Sequence, residues 1–591
     1  MKDRINMERN EKLIRMKLWQ YLLPSIMMTA ALQMGNIVDT MLVGNILGAD
    51  AMSAVKVGMT IDNIMEIPGY VLGVGGSVAV GILLGKRERD KANRVFSMTL
   101  TVSVLCGIVF ALLSVTSPVL AEALTGGGSL TADVRAFIFV TLLGAPVISL
   151  ALQFMNYVAV DNNPSVASAY VIVSNVINLA LDYLILKYTA LGTAGAALST
   201  VLGYGIAMLV LIRYLRSPKR MLKYVFPFGR GGLASGAEFM LALSTGMPTL
   251  LYMVFLTTKD LGLNTMIVRM IGNDGMAVYT VCANVVLLVE LLVGGIIGTI
   301  ASIGGVIYGE KDYFGIRSLV KHVLIYSYAV LLVILIILWV FPQYVVALFG
   351  ITEGVLSSMA SAALRIFVCS LPFYLLNKFM TTYYQSTEQT KLSGIVTSLQ
   401  TCVAILPLAV VFTLAAKAAG FDLLNALMAA FVASEIVTIV IAFIYRKLKY
   451  KDQGFLLLPE KEEEAVYDIS AAADLEEVEK VPREIIGFCK AHQVDAGRAN
   501  LLAVAAEEML VNIIRYGGKK VDTIDINLRI ADDTLLFRLR DNGIPFDPTD
   551  YSVDSGEYEI HGIEVVRSIT DRMQYMRVLD LNHTVIEMKK S

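Results

Sequence analysis

The 591-residue sequence has few charged residues and no cysteine pattern. Only 17% of its residues are charged, whereas 56% are hydrophobic. This balance excludes an ordinary soluble globular protein and a disordered one. The cysteines are odd in number and mostly lie in apolar stretches without metal-ligand spacing, which is typical of unpaired packing residues rather than a disulfide framework: Cys106, Cys282, Cys369, Cys402 and Cys489.

The amino-terminal 17 residues lack the features of a cleavable signal peptide. They contain acids as well as bases and run into an apolar segment that is too long for a signal. We interpret them as a cytoplasmic lead-in to a first membrane helix. The net charge of -2 is a sum over unlike parts, because charged residues are frequent after residue 450 and rare before it. The sequence therefore predicts a membrane domain joined to a soluble one.

Twelve apolar runs have about the length needed to cross the hydrocarbon core, the first at 18–44 and the last at 423–446. Lys and Arg cluster in alternate connecting loops, for example 86–94 and 213–230. Because basic short loops stay in the cytoplasm, we predict a multi-pass protein of the cell inner (plasma) membrane with both termini cytoplasmic.

An internal repeat is indicated by three pairs of landmarks at the same offset of 224 residues: Pro24 and Pro248, Gly48 and Gly272, Gly85 and Gly309. An even number of helices in each half would keep both halves in the same orientation. We therefore predict an all-α membrane domain of two parallel six-helix repeats with a cavity between them.

Acidic residues within the apolar runs are candidates for function, because a carboxylate at membrane depth is costly: Asp39, Asp62, Glu66, Asp182, Glu290 and Glu435. Asn178 precedes Asp182 by four residues, so both project from one helix face. Asp62 and Glu66 have the same spacing, and two like charges so close favour a neutralising proton or cationic substrate.

Several segments together resemble the multidrug and toxic compound extrusion (MATE) family over residues 12–448: LPSIMMTAALQMGNIVDTMLVGNILGADAMSA, LLGKRERDKA, DNNPSVASAYVIVSNVINLALDYLILKY, GTAGAALST and YYQSTEQTKLS. The resemblance implies cation-coupled efflux of small organic, often cationic, compounds by alternating access. It divides this region into an N-lobe at 18–230 and a C-lobe at 231–448, in contact with the lipid bilayer and with no nucleic acid as a partner.

The resemblance also implies a cation site at Asp39, Asn178, Asp182 and Thr200. Two carboxylates with an amide and a hydroxyl oxygen suit Na⁺, and a carboxylate pair can instead hold H⁺. The C-lobe position offset by 224 from Asp39 is Leu263, so coupling is expected in the N-lobe. The acids proposed for the substrate cavity are Asp62, Glu66 and Glu290.

Residues 449–464 have the composition of a linker, and residues 465–591 alternate helical and strand patterns typical of an α/β sandwich. This part resembles the histidine-kinase-like (Bergerat) ATPase fold, nearest to anti-sigma-factor serine kinases, through EEMLVNIIRYGG and RDNGIPFDP. The resemblance implies Mg-ATP binding, with Asn512 on Mg²⁺, Glu508 as catalytic base, and Asp541 and Gly543 at the adenine.

The phosphate lid departs from that family. Its place reads EYEIHGIEVV, where Gly562 remains but Glu559 and Ile560 replace expected glycines. Glycines let backbone N–H groups form an anion nest, and Glu559 would repel phosphate. We therefore expect a regulatory module that binds nucleotide or a cytoplasmic protein, with kinase or ATPase turnover weak or absent.

Two other functions stay open. A membrane signalling protein could combine a transporter-like sensor with an ATP-dependent, anti-sigma-like serine kinase. A flippase of lipid-linked saccharides could have a related fold, but such a protein needs a strongly basic cavity, and the bases within the apolar runs are chiefly Lys56, Arg365 and Lys378.

Overall fold

The computed structural model describes residues 9–591 apart from 218, 228–235, 350, 352–353, 452, 459–464, 519–520, 532 and 551–560. The predicted lid residues Glu559 and Ile560 lie outside the described residues. The chain forms two compact units. One is Leu18–Asp452, and the other combines Met1–Lys17 with Gln453–Ser591.

The first half of the membrane unit is helical throughout. Its helices are α1 (Lys12–Leu47), α2 (Ala49–Gly85), α3 (Arg89–Leu113), α4 (Ser117–Thr125), α5 (Thr131–Val160), α6 (Pro164–Tyr188), α7 (Thr193–Ala207) and α8 (Leu211–Leu215).

The second half repeats the pattern with additional breaks. Its helices are α9 (Gly236–Met270), α10 (Asn273–Val289), α11 (Gly295–Gly309), α12 (Tyr313–Val340), α13 (Pro342–Leu348), α14 (Gly354–Val368), α15 (Leu371–Ser386), α16 (Thr390–Ser398), α17 (Ile405–Ala419) and α18 (Leu423–Tyr450). Short π-helical turns at Glu290–Gly294 and Leu399–Val403 join α10 to α11 and α16 to α17.

Within the described residues, ten helical segments are long and apolar enough to cross a membrane, and an eleventh is counted if α14 and α15, bent by 44°, form one span. The remaining predicted span corresponds to α1, which is 36 residues long but is not among these segments. The mostly helical membrane fold predicted from the sequence is confirmed.

The landmarks at offset 224 occupy equivalent places in the two halves. Gly48 precedes α2 with φ of 94°, and Gly272 precedes α10 with φ of 95°, a region that favours glycine. Gly85 is the last residue of α2 and Gly309 the last residue of α11. Equal offsets in sequence therefore correspond to equal backbone geometry.

The second unit contains an antiparallel five-stranded sheet of order β1-β2-β3-β5-β4. Its elements after residue 464 are β1 (Ala465–Ala472), α19 (Leu475–Val478), α20 (Val481–Ala491), α21 (Ala496–Tyr516), β2 (Thr523–Ala531), β3 (Thr534–Asp541), α22 (His561–Ile569), β4 (Arg572–Val578) and β5 (Leu581–Lys589). Alternate strand residues, such as Ile526, Leu539 and Ile586, pack against the helices in one hydrophobic core. This is the predicted α/β sandwich.

Candidate functional site: an N-lobe carboxyl pair and a central cavity

Two glycines let α1, α6 and α7 approach one another closely. A Cβ on Gly35 would lie 2.0 Å from the Asn175 side-chain oxygen on α6. A Cβ on Gly203 of α7 would lie 2.9 Å from the Cβ of Asn178. Real Cβ atoms do not approach so closely, so the absence of a side chain at these two positions allows the three helices to meet.

The four predicted cation-site residues come together at this junction. The Asp39 and Asp182 carboxyls interact directly, and the Asn178 amide donates to the Thr200 hydroxyl at 3.3 Å. The Ser199 hydroxyl donates to Asp182 Oδ1. Asp39 Oδ1 and Asp182 Oδ2 are buried and have no hydrogen-bond donor among the described residues. Two carboxyls in contact, each with an unpaired oxygen, have the chemistry needed to share a proton or to bind a small cation.

Asp62 and Glu66 extend the acidic groups along α2. Asp62 interacts electrostatically with Asp39, and Glu66 with Asp62. Neither is among the described residues that line the central cavity. Through Asp39, the structure places these two acids beside the predicted cation site instead.

A cavity of about 680 Å³ lies between the two halves of the membrane unit. N-lobe residues such as Gln33 and Asn156 line one side, and C-lobe residues such as Tyr252 line the other. The volume is in the range of pockets that hold drug-sized organic molecules. The predicted cavity between the lobes is therefore present.

Charged groups in this cavity belong mainly to the C-lobe. Glu290 accepts a hydrogen bond from the Tyr374 hydroxyl and forms an ion pair with Lys378, Nζ to Oε1 3.2 Å. The Lys378 ammonium also lies 5.4 Å from the centre of the Tyr252 ring. Of the three predicted cavity acids, Glu290 is the one that lines the cavity.

Glu435 is a second buried acid of the cavity wall. Its Oε2 accepts from Asn377 at 2.6 Å and from Gln400 at 3.2 Å. Lys259 and Asp260 also line the cavity and form an ion pair at 3.3 Å. The sequence singled out Glu435 as an acid at membrane depth, but its amide donors lie on other helices and no sequence spacing indicates them.

The lobes are in close contact where α2 and α11 end, before the base-rich loops. A Cβ on Gly85 would lie 2.1 Å from the Val306 carbonyl oxygen. Arg94 forms a forked ion pair with Glu238, with distances of 2.6 and 3.2 Å. Backbone packing and this ion pair therefore hold the two lobes together at this end.

The predicted nucleotide residues lie at one edge of the second unit. Asp541 Oδ1 accepts from the Gly543 backbone N–H at 2.7 Å and from Asn582 Nδ2 at 2.9 Å. Burial raises the pKa of the Asp541 carboxyl, and these hydrogen bonds oppose the rise.

The remaining predicted nucleotide residues lie on α21 and α22. A Cβ on Gly562 would lie 2.0 Å from Glu508 Oε2, so the start of α22 approaches Glu508. Asn512 Nδ2 is buried without a hydrogen-bond partner among the described residues. Such an amide fits a position that faces a ligand.

Comparison with known proteins identifies the membrane unit. Residues 24–184 and 248–411, more than half of the chain, match the MatE family model. The chain belongs to the MATE family. The two matched segments begin 224 residues apart, the offset found in the repeat. This MATE transporter also carries a histidine kinase-like ATPase domain, whose family model matches residues 471–590.

Relatives of the transporter are named as multidrug resistance or multidrug export proteins. It is 24% identical to the probable multidrug resistance protein YoeA of Bacillus subtilis (strain 168), over 56% of this chain and 72% of that protein. It is 22% identical to the multidrug export protein MepA of Staphylococcus saprophyticus, over 60% of this chain and 77% of that protein.

Solved structures support the fold. A MOP superfamily transporter from Pyrococcus furiosus, described as having a binding pocket of reversed polarity, aligns with a TM-score of 0.66 and 19% identity over 73% of this chain and 95% of that one. A MATE structure in the bent conformation aligns with the same TM-score and identity over 74% of this chain and 95% of that one. By its family, the membrane unit is a MATE efflux transporter that acts on small organic compounds. Transporters of this family are ion-coupled.

Proposed function

We propose that this protein is a proton-coupled antiporter that exports small organic cations, and that its carboxyl-terminal domain binds Mg-ATP and regulates transport. The observation that carries the transport proposal is the direct contact between the Asp39 and Asp182 carboxyls. We place the protein in the plasma membrane with both termini in the cytoplasm, as the distribution of basic loops predicts.

A proton is the coupling ion that this site favours. Two ionised carboxylates in contact repel each other, and one shared proton converts the repulsion into a hydrogen bond. Sodium requires several oxygen ligands at once. Here Asn178 and Thr200 hydrogen-bond to each other, and Ser199 already donates to one oxygen of Asp182.

Coupling follows from the place of Asp39 on α1. When the pair holds its proton, α1 can remain against α6 and α7. When the proton leaves, repulsion between Asp39 and Asp182 favours separation of α1, and Pro24 supplies a position at which the helix can bend. Since α1 also lines the cavity, for example through Gln33, its position links proton occupancy to the space available for substrate.

The cavity favours a cationic substrate with aromatic or apolar parts. Its charged lining residues are Lys259, Asp260, Glu290, Lys378 and Glu435, three acids against two bases. Asp260 and Glu290 are paired with the two lysines, whereas Glu435 is held by amides. An organic cation can pair with this acid or compete with Lys378 for Glu290, while tyrosine rings contact its apolar surface.

Ion-driven efflux from proteoliposomes tests the coupling. We expect a pH gradient alone, with protons moving down the gradient as substrate leaves, to drive uphill transport of tetraphenylphosphonium. A sodium gradient at constant pH is expected to drive none. Transport driven by a sodium gradient and not by a pH gradient would contradict the proton assignment. Failure of both gradients to drive uphill transport would contradict coupled antiport.

Opposite effects are expected from the two members of the cavity ion pair. Glu290→Gln removes a negative charge and leaves Lys378 without its partner, so affinity for tetraphenylphosphonium should fall by about tenfold. Lys378→Met removes the competing cation and should raise that affinity. Equilibrium binding to the purified transporter measures both. Glu122→Gln, at an exposed acid of α4, is the matched control, and equal affinities in all four proteins would contradict a role for the pair.

The residues present fit Mg-ATP at the carboxyl-terminal domain. Asp541 is positioned by Gly543 and Asn582 to accept from an adenine amine, and Asn512 offers an unpaired Nδ2 donor for a phosphate oxygen and a side-chain oxygen for Mg²⁺. Bound Mg²⁺ would neutralise phosphate charge there. With the lid sequence poor in glycine, we propose binding without efficient turnover, and therefore a regulatory role.

A further inference from the structure

Residues 9–17, which we call the amino-terminal strap, form part of the same compact unit as the carboxyl-terminal domain. Arg9 is buried between two acids of the sheet. Its guanidinium contacts Asp468 Oδ1 at 2.5 Å and Asp525 Oδ2 at 2.9 Å, and its side chain is only 5% exposed. The Asn10 backbone N–H donates to Ser470 Oγ at 3.0 Å. A buried cation held by two carboxylates makes this attachment specific.

The far end of the strap contacts the turn that carries the predicted adenine residues. Lys17 Nζ donates to the Asp580 carbonyl at 3.2 Å, and its residue is 4% exposed. Met16 Sδ lies 3.9 Å from Nδ2 of Asn542, the residue between Asp541 and Gly543 in the sequence. The strap therefore contacts both the turn between β4 and β5, at Asp580, and the turn that follows β3, at Asn542, which we call the β3 turn.

A continuous set of hydrogen bonds leads from this contact to Asp541. The Asp580 carboxylate accepts from Arg577 at 2.8 Å. Arg577 donates to Asn582 Oδ1 at 2.7 Å and to the Gly543 carbonyl at 3.0 Å. Asn582 in turn donates to Asp541 Oδ1 at 2.9 Å. A ligand that donates a hydrogen bond to Asp541 acts on one end of this set, and Lys17 hydrogen-bonds to Asp580 at the other end.

The strap is also the start of the first membrane helix. Helix α1 runs without interruption from Lys12 to Leu47 and carries Pro24 and Asp39. Pro24, where we propose that α1 bends, therefore lies between the strap and Asp39. The strap and the segment that carries Asp39 are thus parts of one helix, with the proposed bend between them.

We propose that the acidic surface formed by Asp468, Ser470 and Asp525 is a docking site for the chain's own amino-terminal strap, and that through the strap nucleotide binding controls the first membrane helix and hence the export rate. This inference rests on the proposed binding of Mg-ATP. It makes the regulatory partner of the domain a segment of the same chain. The consequence is that the ATPase-like domain acts on transport without phosphorylating another protein.

The test uses the full-length protein in proteoliposomes with the domain accessible to added Mg-ATP. Calorimetry first measures Mg-ATP binding to the wild type, and proton-driven efflux is then measured with and without nucleotide. We expect binding and about a fivefold or larger change in efflux rate. Hydrogen–deuterium exchange of residues 9–17 should change on nucleotide addition.

Two strap variants make the test specific. Lys17→Met keeps the aliphatic volume and removes the donor to Asp580, and Arg9→Gln removes the ion pairs with the sheet. Both should retain Mg-ATP binding and basal efflux but lose the response of efflux to nucleotide. Lys12→Met is the matched control, because the Lys12 ammonium is more than half exposed and 3.9 Å from Asp522, and it should respond as the wild type does.

The outcomes separate this inference from the proposal on which it rests. If the wild type binds no Mg-ATP, both the nucleotide proposal and this inference are overturned, while coupled export stands. If the wild type binds and responds, and Lys17→Met and Arg9→Gln respond equally, the strap is not the link. Binding without any change in efflux or in exchange of the strap overturns this inference alone.

Discussion

Asp39→Asn is expected to abolish proton-driven export and leave at most passive leakage of substrate. The substitution keeps the size of the side chain and removes one of the two carboxyls that share the proton. Asparagine carries no charge and cannot release a proton, so it is not repelled by Asp182. The electrostatic force that would separate α1 from α6 and α7 is therefore absent. We expect the initial rate of uphill export to fall by at least about tenfold.

The measurement is tetraphenylphosphonium efflux from proteoliposomes under an imposed pH gradient. Substrate binding at equilibrium should persist, because Asp39 is not among the described residues that line the cavity. Asp50→Asn, at an exposed acid in the first turn of α2, is the matched control and should export normally. Asp182→Asn should behave like the Asp39 variant. Full proton-driven export by either variant would refute the shared-proton site.

The cation site was more predictable than the cavity. Asp39, Asn178, Asp182 and Thr200 were assigned through the resemblance to the MATE family, and the structure brings all four together. Their assignment as a cation site stays a prediction. Ser199 was missed, although it precedes Thr200 directly, because a serine in a membrane helix more often bonds to its own backbone.

The C-lobe chemistry could not be derived from spacing. Glu290 meets Tyr374 and Lys378, more than eighty residues away in sequence, and Glu435 meets Asn377. A helical period indicates which residues share a face, but the rotation of one helix against another depends on packing of the whole bundle. Acids at membrane depth could therefore be found from the sequence, whereas their partners could not.

The strap shows the same limit over a longer distance. The charges of the first residues predicted a lead-in to a membrane helix, and α1 does begin at Lys12. The ion pair of Arg9 with Asp468 joins positions 459 residues apart. Asp468 and Asp525, the two acids that hold Arg9, occur on strands whose outward faces are expected to carry polar residues. Nothing in the strand pattern therefore indicated that they would bury a cation from the other end of the chain.

Gly85→Ala is expected to open the contact between the lobes at their base-rich end. A Cβ at this position would lie 2.1 Å from the Val306 carbonyl oxygen and 2.9 Å from Gly309 Cα, both backbone atoms that cannot move aside by a rotamer change. Forcing such a contact costs about 1–3 kcal/mol. The ratio of the closed to the open conformation should then fall by about 5- to 150-fold.

Spin labels in the loops after α2 and after α11, in a cysteine-free background, measure the distance between the lobes at this end. The wild type should give mainly the short distance of the closed form, and Gly85→Ala should give a longer one with slower export. Gly81→Ala, one turn earlier on α2, is the matched control, because its added Cβ would meet only ordinary contacts at 3.6 Å. Since the backbone of α11 faces both positions, an equal effect of the two substitutions would point to general disturbance of α2 and would contradict a closure formed by Gly85 and Gly309.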